Sequence, residues 1–320
     1  MRQIRTYKKT KISKKDRKRN KIALIFLLIV ICLTSLYFII KSFNKEEPPK
    51  QTRDYFTTAY APGTFEVDGK QYTQNQEVVN LLLVGTNEDD AEYILLVIVD
   101  KENKTLLPIH IPRDTVCKYY VLDQFGKIED TQTGHLEKSF GNGTRDMKSL
   151  NNVKNTVEKI FCNIRIEYSM MVDLNNVDKV ANEFGPVYFN AVDSYNDNGI
   201  VINKNDKVTI DSNNAVALIR GDDTKEEIKV IERRQSLYVD TLYSNCRENY
   251  LSNNAYFIQK FANLAEQVTF SSNDILNLLA EVNDYTKKDL QFLTGTREKE
   301  GFYLDEKQLE SICLDYIYNE

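Results

Sequence analysis

The chain has 320 residues, 42% of them hydrophobic and 28% charged, which describes a folded protein and excludes a disordered one. Its net charge of −5 hides an asymmetry: residues 1–21 carry eleven Lys or Arg against Asp16 alone, near +10, leaving the remainder near −15. Two different environments are implied.

Ile22 to Ile40 divides them. These 19 residues contain no charge, and as a helix they would span roughly 28 Å, the thickness of a bilayer core. The basic flank precedes the apolar run, so the N-terminus is expected in the cytoplasm and the bulk of the chain outside a cell membrane crossed once. A cleavable signal peptide is the rival reading. The run is longer than a signal core, however, and ends Tyr37-Phe38-Ile39-Ile40-Lys41 with no small-residue cleavage pattern. Anchoring and orientation account for the basic tail. Nothing behind it resembles a DNA-reading module, so no nucleic-acid partner is expected. The expected organisation is a basic cytoplasmic tail at 1–21, a transmembrane helix at 22–40, a juxtamembrane spacer at 41–75 and one extracytoplasmic domain at 76–320.

Within that domain, Val78 to Gly85 is a compact apolar run ended by glycine, the pattern of a buried strand. Tyr93 to Val99 is a second, and Thr105 to Ile111, after the polar turn Asp100-Lys101-Glu102-Asn103-Lys104, forms a hairpin with it. The apolar spacing of Leu150, Val153, Val157 and Ile160 predicts an amphipathic helix from Met147 to Phe161. A strand from Tyr168 to Leu174 precedes a helix from Val177 to Phe184 that closes at Gly185. Further helices are expected at Ala215–Arg220, Val230–Tyr243, Phe257–Val268 and Ile275–Val282. Strands mixed with helices at these intervals predict an α/β domain with a central sheet covered by helices.

The cysteines outside the apolar run, Cys117, Cys162, Cys246 and Cys313, are scattered and form no Cys-x-x-Cys, which argues against a structural zinc site and leaves their pairing open. His110 and His135 are the only histidines, and no Gly-x-Ser-x-Gly elbow occurs, so neither a histidine-rich metal centre nor that hydrolase class is supported. The chemistry concentrates at Ile111-Pro112-Arg113-Asp114-Thr115, directly after a strand. There a guanidinium fork and a carboxylate share one turn, a pairing suited to a phosphate and its metal. Asp114 reads equally well as a turn-stabilising cap.

That turn heads a series of blocks. From Val78 onward the chain resembles the LytR–CpsA–Psr family of membrane-anchored cell-envelope enzymes. The resemblance rests on Asn80-Leu81-Leu82-Leu83-Val84-Gly85-Thr86, Glu92 before the second strand, the Pro-Arg-Asp turn, and Leu136-Glu137-Lys138-Ser139-Phe140-Gly141-Asn142-Gly143. Asn182 to Val187, Asp211 to Arg220, and Arg233-Arg234-Gln235 follow in order. It implies a mixed central sheet flanked by helices, with an apolar lipid-binding pocket. It also implies transfer of a phosphoglycan, such as teichoic acid or capsule polymer, from undecaprenyl pyrophosphate to peptidoglycan, assisted by Mg²⁺ or another divalent cation. By the same resemblance Arg113 and Asp114 are the catalytic candidates, and Arg113, Arg220, Arg233 or Arg234, and Gln235 would bind the donor. Glu92, Asn87 and Asp89 would hold the metal. The chain departs from the family pattern in three places. Gly85-Thr86-Asn87 replaces Gly-Thr-Asp with no arginine following, Asp222 stands where a second arginine is usual, and Val230 or Ile231 replaces an arginine of the closing block. The alternative is therefore a non-catalytic relative that binds a polyprenyl-linked or wall polymer as a scaffold or regulator of envelope assembly.

Overall fold

The computed structural model of the protein describes residues 61–319 except 88, 142–145, 198, 223–225, 266–268 and 271–274. The expected cytoplasmic tail, transmembrane helix and first part of the spacer lie outside the described residues. Among the described residues no helix is long and apolar enough to cross a membrane.

Folded structure starts before residue 76. Strands β1 (Thr64–Val67) and β2 (Lys70–Gln74) pair across the two-residue turn Asp68-Gly69, whose positive φ values of 51° and 78° are those an Asp-Gly hairpin turn requires. Phe65 of β1 is 1% exposed, so the last part of the expected spacer belongs to the domain and contributes to its core. The sheet itself begins with β3 (Val78–Thr86), β4 (Ala91–Asp100) and β5 (Thr105–Ile111), an antiparallel meander close to the predicted bounds. A hairpin unforeseen in the sequence, β6 (Val116–Leu122) with β7 (Ile128–His135), stands outside that sheet. After the short helix α1 (Lys138–Gly141), helix α2 (Met147–Ile160) starts where the Asp146 side chain accepts the Lys148 N–H at 2.8 Å. It leads to β8 (Tyr168–Asp173), parallel to β3, which makes the sheet mixed.

Helix α3 (Val177–Phe184) follows, and then two small antiparallel pairs. These are β9 (Val187–Asn190) with β12 (Lys207–Ile210), and β10 (Tyr195–Asp197) with β11 (Ile200–Ile202). The helix expected at Ala215–Arg220 is one π-helical turn, Val216–Arg220, stopped by Gly221 at a φ of 71°. A Cβ at Gly221 would also sit 2.8 Å from Ile231, on the long helix α4 (Ile228–Ser252). Helix α5 (Asn254–Ala265), strand β13 (Thr269–Phe270) and helix α6 (Ile275–Glu281) come next. Strands β14 (Thr286–Lys287) and β15 (Gln291–Phe292) then join β5 in parallel. The chain closes with a hairpin of β16 (Gly295–Glu298) and β17 (Gly301–Leu304), helix α7 (Glu306–Tyr316) and strand β18 (Tyr318–Asn319), which pairs with β2. The central order is β13-β8-β3-β4-β5-β14, with β15 also on β5.

The period of two along a strand gives the sheet two unlike faces. Leu82, Val84, Ile94, Leu96 and Ile98 pack with Leu150, Val153 and Val157 of α2 in a closed core. Leu83, Tyr93 and Met170 face the other way and, with α3, α4 and α5, line an apolar cavity of about 230 Å³. A neighbouring chamber of about 150 Å³ shares those three residues and reaches the Asp240–Lys287 ion pair. Leu82→Ala should therefore lower stability by about 2–5 kcal/mol in urea unfolding, because it opens a void in packed core. Leu83→Ala, which enlarges an existing cavity, should cost less than half as much.

Candidate functional site

Strand directions bring the chemistry to one end of the sheet. β3 ends before Asn87, antiparallel β4 begins at the same end beside Glu92, and β5 ends at Ile111 opposite Ile94. β15 runs parallel to β5 and delivers β16 to that end as well. The Pro-Arg-Asp turn is closed by Thr115, whose N–H and hydroxyl both donate to the Pro112 carbonyl, at 3.0 and 2.6 Å. Three more backbone bonds stitch neighbours to it. Glu137 N–H donates to the Arg113 carbonyl at 2.9 Å, Leu136 N–H to the Thr115 carbonyl at 2.8 Å, and Phe302 N–H to the Asp114 carbonyl at 2.9 Å. Gly301 permits the last of these: its φ is 132°, and a Cβ there would lie 2.5 Å from the Asp114 carbonyl oxygen.

Arg113 is 4% exposed, so its charge must be met by protein. Its Nη1 lies 3.7 Å from Glu92 Oε1 and its Nε 3.5 Å from Glu137 Oε2. Both distances exceed those of a tight charge-assisted bond. The Arg113 backbone N–H donates to Glu232 Oε1 at 3.0 Å. Asp114, also 4% exposed, accepts from Arg297 Nη2 at 2.9 Å, and the same nitrogen stands 3.6 Å from Glu232 Oε2. Asn87 donates its side-chain amide to Glu92. Lys138 pairs with Asp90 at 2.6 Å and lies 3.9 Å from Glu137.

Among the described residues, Arg113, Arg297 and Lys138 face the carboxyl groups of Glu92, Asp114, Glu137, Glu232 and Asp90, two more than the cations. Burial pushes Glu137 above the usual carboxylate range, against the opposing pull of Arg113 and Lys138. Burial pushes Glu232 further, up to about 7, although the Arg113 N–H and Arg297 both favour its ionised form. His110, 1% exposed between the rings of Tyr93 and Phe292, is held neutral, driven down to about 3 by burial and then by Arg297.

The expected site residues divide into two groups. Arg113, Asp114, Glu92 and Asn87 converge, and Asp89, though exposed, sits beside Asn87 with its N–H 3.4 Å from the Asn87 Oδ1. Among the described residues no group of three or more His, Cys, Asp or Glu is spaced to hold a metal ion. The other three arginines engage elsewhere. Arg220 is exposed and donates to Asn175 Oδ1 at 3.0 Å, just past β8. β8 lies three strand spacings from β5, about 14 Å along the same sheet end. Arg233 is exposed, 3.6 Å from Asp193. Arg234 is buried in a bidentate pair with Glu226 at 2.7 and 2.9 Å, with its guanidinium over the Tyr195 ring. Neither residue of the arginine pair joins Arg113. The helix supplies Glu232 instead, one turn before Gln235, which lines the cavity and donates to the Ile219 carbonyl at 2.8 Å.

Sequence reasoning passed over Glu137, Glu232 and Arg297. Glu137 lay within a quoted block, and Glu232 could have been found as a lone carboxylate on the sheet-facing side of a helix. Arg297 carries no local signal.

The raised Glu232 value has a consequence for stability. The folded protein keeps a proton there that an unfolded carboxyl, at 4.5, has already released, so stability should fall as pH rises from about 4.5 to 7. Relative to Glu232→Gln, which keeps the acceptor for Arg113, the protein should lose on the order of 3 kcal/mol across that window. Urea unfolding at several pH values reads the difference, and a constant offset between the two proteins would contradict it.

No family model and no curated protein matches the chain. Solved structures do. TagV of B. subtilis superposes with a TM-score of 0.59 at 20% identity, covering 74% of this chain and 95% of its own. TagT of B. subtilis gives 0.53 at 15% identity over 84% and 94% of the two chains. Protein gbs0355 of Streptococcus agalactiae gives 0.59 at 14% identity over 74% and 85%. At these identities the likeness is one of architecture, and the chain has the fold of the LytR–CpsA–Psr proteins.

Proposed function

We propose that this protein transfers a phosphoglycan of the teichoic-acid or capsule type from undecaprenyl pyrophosphate to peptidoglycan, at the outer surface of the membrane that its N-terminal segment would cross. The observation that carries the reading is a buried arginine at the end of the sheet where Gly85 and Tyr93 border an apolar cavity. Gly85, Tyr93 and Gln235 line that cavity, and Asn87, Glu92 and Glu232 lie within three residues of them in the chain. A polyprenyl tail suits such walls, and the pyrophosphate would then meet Arg113.

Phosphoryl transfer asks for positioning and for neutralisation of charge on the non-bridging oxygens. Arg113 is fixed by its turn, and its guanidinium can exchange contacts of 3.5–3.7 Å with Glu137 and Glu92 for shorter bonds to phosphate oxygens. Asp114, held by Arg297, borders the same point and is the nearest candidate to orient an incoming hydroxyl. The donor set fits Mg²⁺ in its usual minimal form, one or two carboxylates completed by water and substrate phosphate. Glu92 and Asn87 would hold it, with Asp89 beside them. When bound, the ion would draw charge from the pyrophosphate oxygens.

The test uses the full chain in detergent with a polyprenyl-pyrophosphate-linked glycan, Mg²⁺ and a peptidoglycan oligomer, with product followed by mass spectrometry. Turnover is expected, and Arg113→Ala should lower it by about 10²–10³-fold. Retained lipid binding without any turnover would instead favour the scaffold or regulator reading, which the carboxylate excess and the engagement of Arg234 by Glu226 also support.

A further inference from the structure

Arg297 is the one cation of the cluster delivered by the C-terminal hairpin. One edge of its guanidinium is anchored: Nη2 donates to Asp114 at 2.9 Å and stands 3.6 Å from Glu232. Its Cζ lies over the Phe302 ring, 5.5 Å from the ring centre. Nε and Nη1 have no hydrogen-bond or ion-pair partner among the described residues, and the side chain is 34% exposed. With Nη2 held by carboxylates, the Nε–H and the Nη1 hydrogens point away from one another, and each nitrogen can give a single charge-assisted hydrogen bond to a phosphate oxygen. The hairpin is not a passing neighbour. The Phe302–Asp114 and Thr115–Phe302 backbone pairings dock it, as does His135 Nε2, 2.8 Å from the Glu300 carbonyl, so the position of Arg297 is set by the same turn that sets Arg113.

We infer that Arg297 is a second phosphate-binding residue, and that the free Nε–H and Nη1–H donors of its guanidinium take oxygens of a diphosphate group alongside Arg113. The assignment rests on the pyrophosphate reading of the site and adds to it the residue that the C-terminal hairpin contributes.

The probe is inorganic pyrophosphate with Mg²⁺, titrated calorimetrically into the full chain in detergent. Arg297→Gln should weaken binding roughly ten- to hundredfold, and Arg297→Lys, which keeps the charge without the fork, should recover part of it. Unaltered affinity in Arg297→Gln, with binding lost in Arg113→Ala, would reduce Arg297 to a strut and leave the pyrophosphate reading standing. No binding by the unmodified protein would remove both. Phenylglyoxal labelling of the unmodified chain avoids dependence on a variant's folding. Pyrophosphate should slow modification at Arg297, and an unchanged rate at saturating pyrophosphate would overturn the assignment.

Discussion

A guanidinium buried to 4% exposure is the constraint around which this domain is assembled. Uncompensated, such a charge would cost several kcal/mol, and the carboxylates that meet it come from distant parts of the chain. Glu92 stands near the start of β4 and Glu137 just past β7, while Glu232, near the start of α4, accepts the Arg113 backbone N–H. The sheet end, the outer hairpin and the long helix must therefore all be in place before Arg113 can be. The same requirement explains why the turn is held through three backbone carbonyls, since a buried charge tolerates little drift of its backbone.

The excess of carboxylates gives the site a second property. An anion entering it must arrive with positive charge or protons, and Glu232 already retains a proton near neutrality. Anion affinity and proton uptake are thus linked, as are anion affinity and any cation that accompanies the ligand. This differs from a site built only of arginines, where anions bind without a partner and pH matters little.

Legibility in the sequence followed the range of the interaction. The strands at Val78, Tyr93 and Thr105 and the helix at Met147 announce themselves because apolar runs and periods are local. The β6–β7 hairpin escaped because Ile128 to Thr133 is exposed, which leaves β7 with no buried face to set a pattern. The hairpin at residues 64–74 escaped because short strands around Asp68-Gly69 look like spacer. At the site, Arg113 and Asp114 were visible as a turn and Glu92 through its block. Arg234 pairs with Glu226, eight residues earlier, an approach that no local pattern encodes. Arg297 lies 183 residues from Asp114, and they meet through the parallel pairing of β15 with β5 and the backbone pairing of Phe302 with the turn.

The pairing of β18 with β2 has a consequence of its own. β2 carries β1 on one side and the C-terminal strand on the other, and Asn75 N–H donates to the Ile317 carbonyl at 2.8 Å. The tail thus occupies a ladder edge that would otherwise offer unpaired backbone to other molecules. A chain cut after Tyr316 would keep its catalytic candidates but leave β2 as an open strand edge. The harm of such a cut would fall on self-association more than on chemistry.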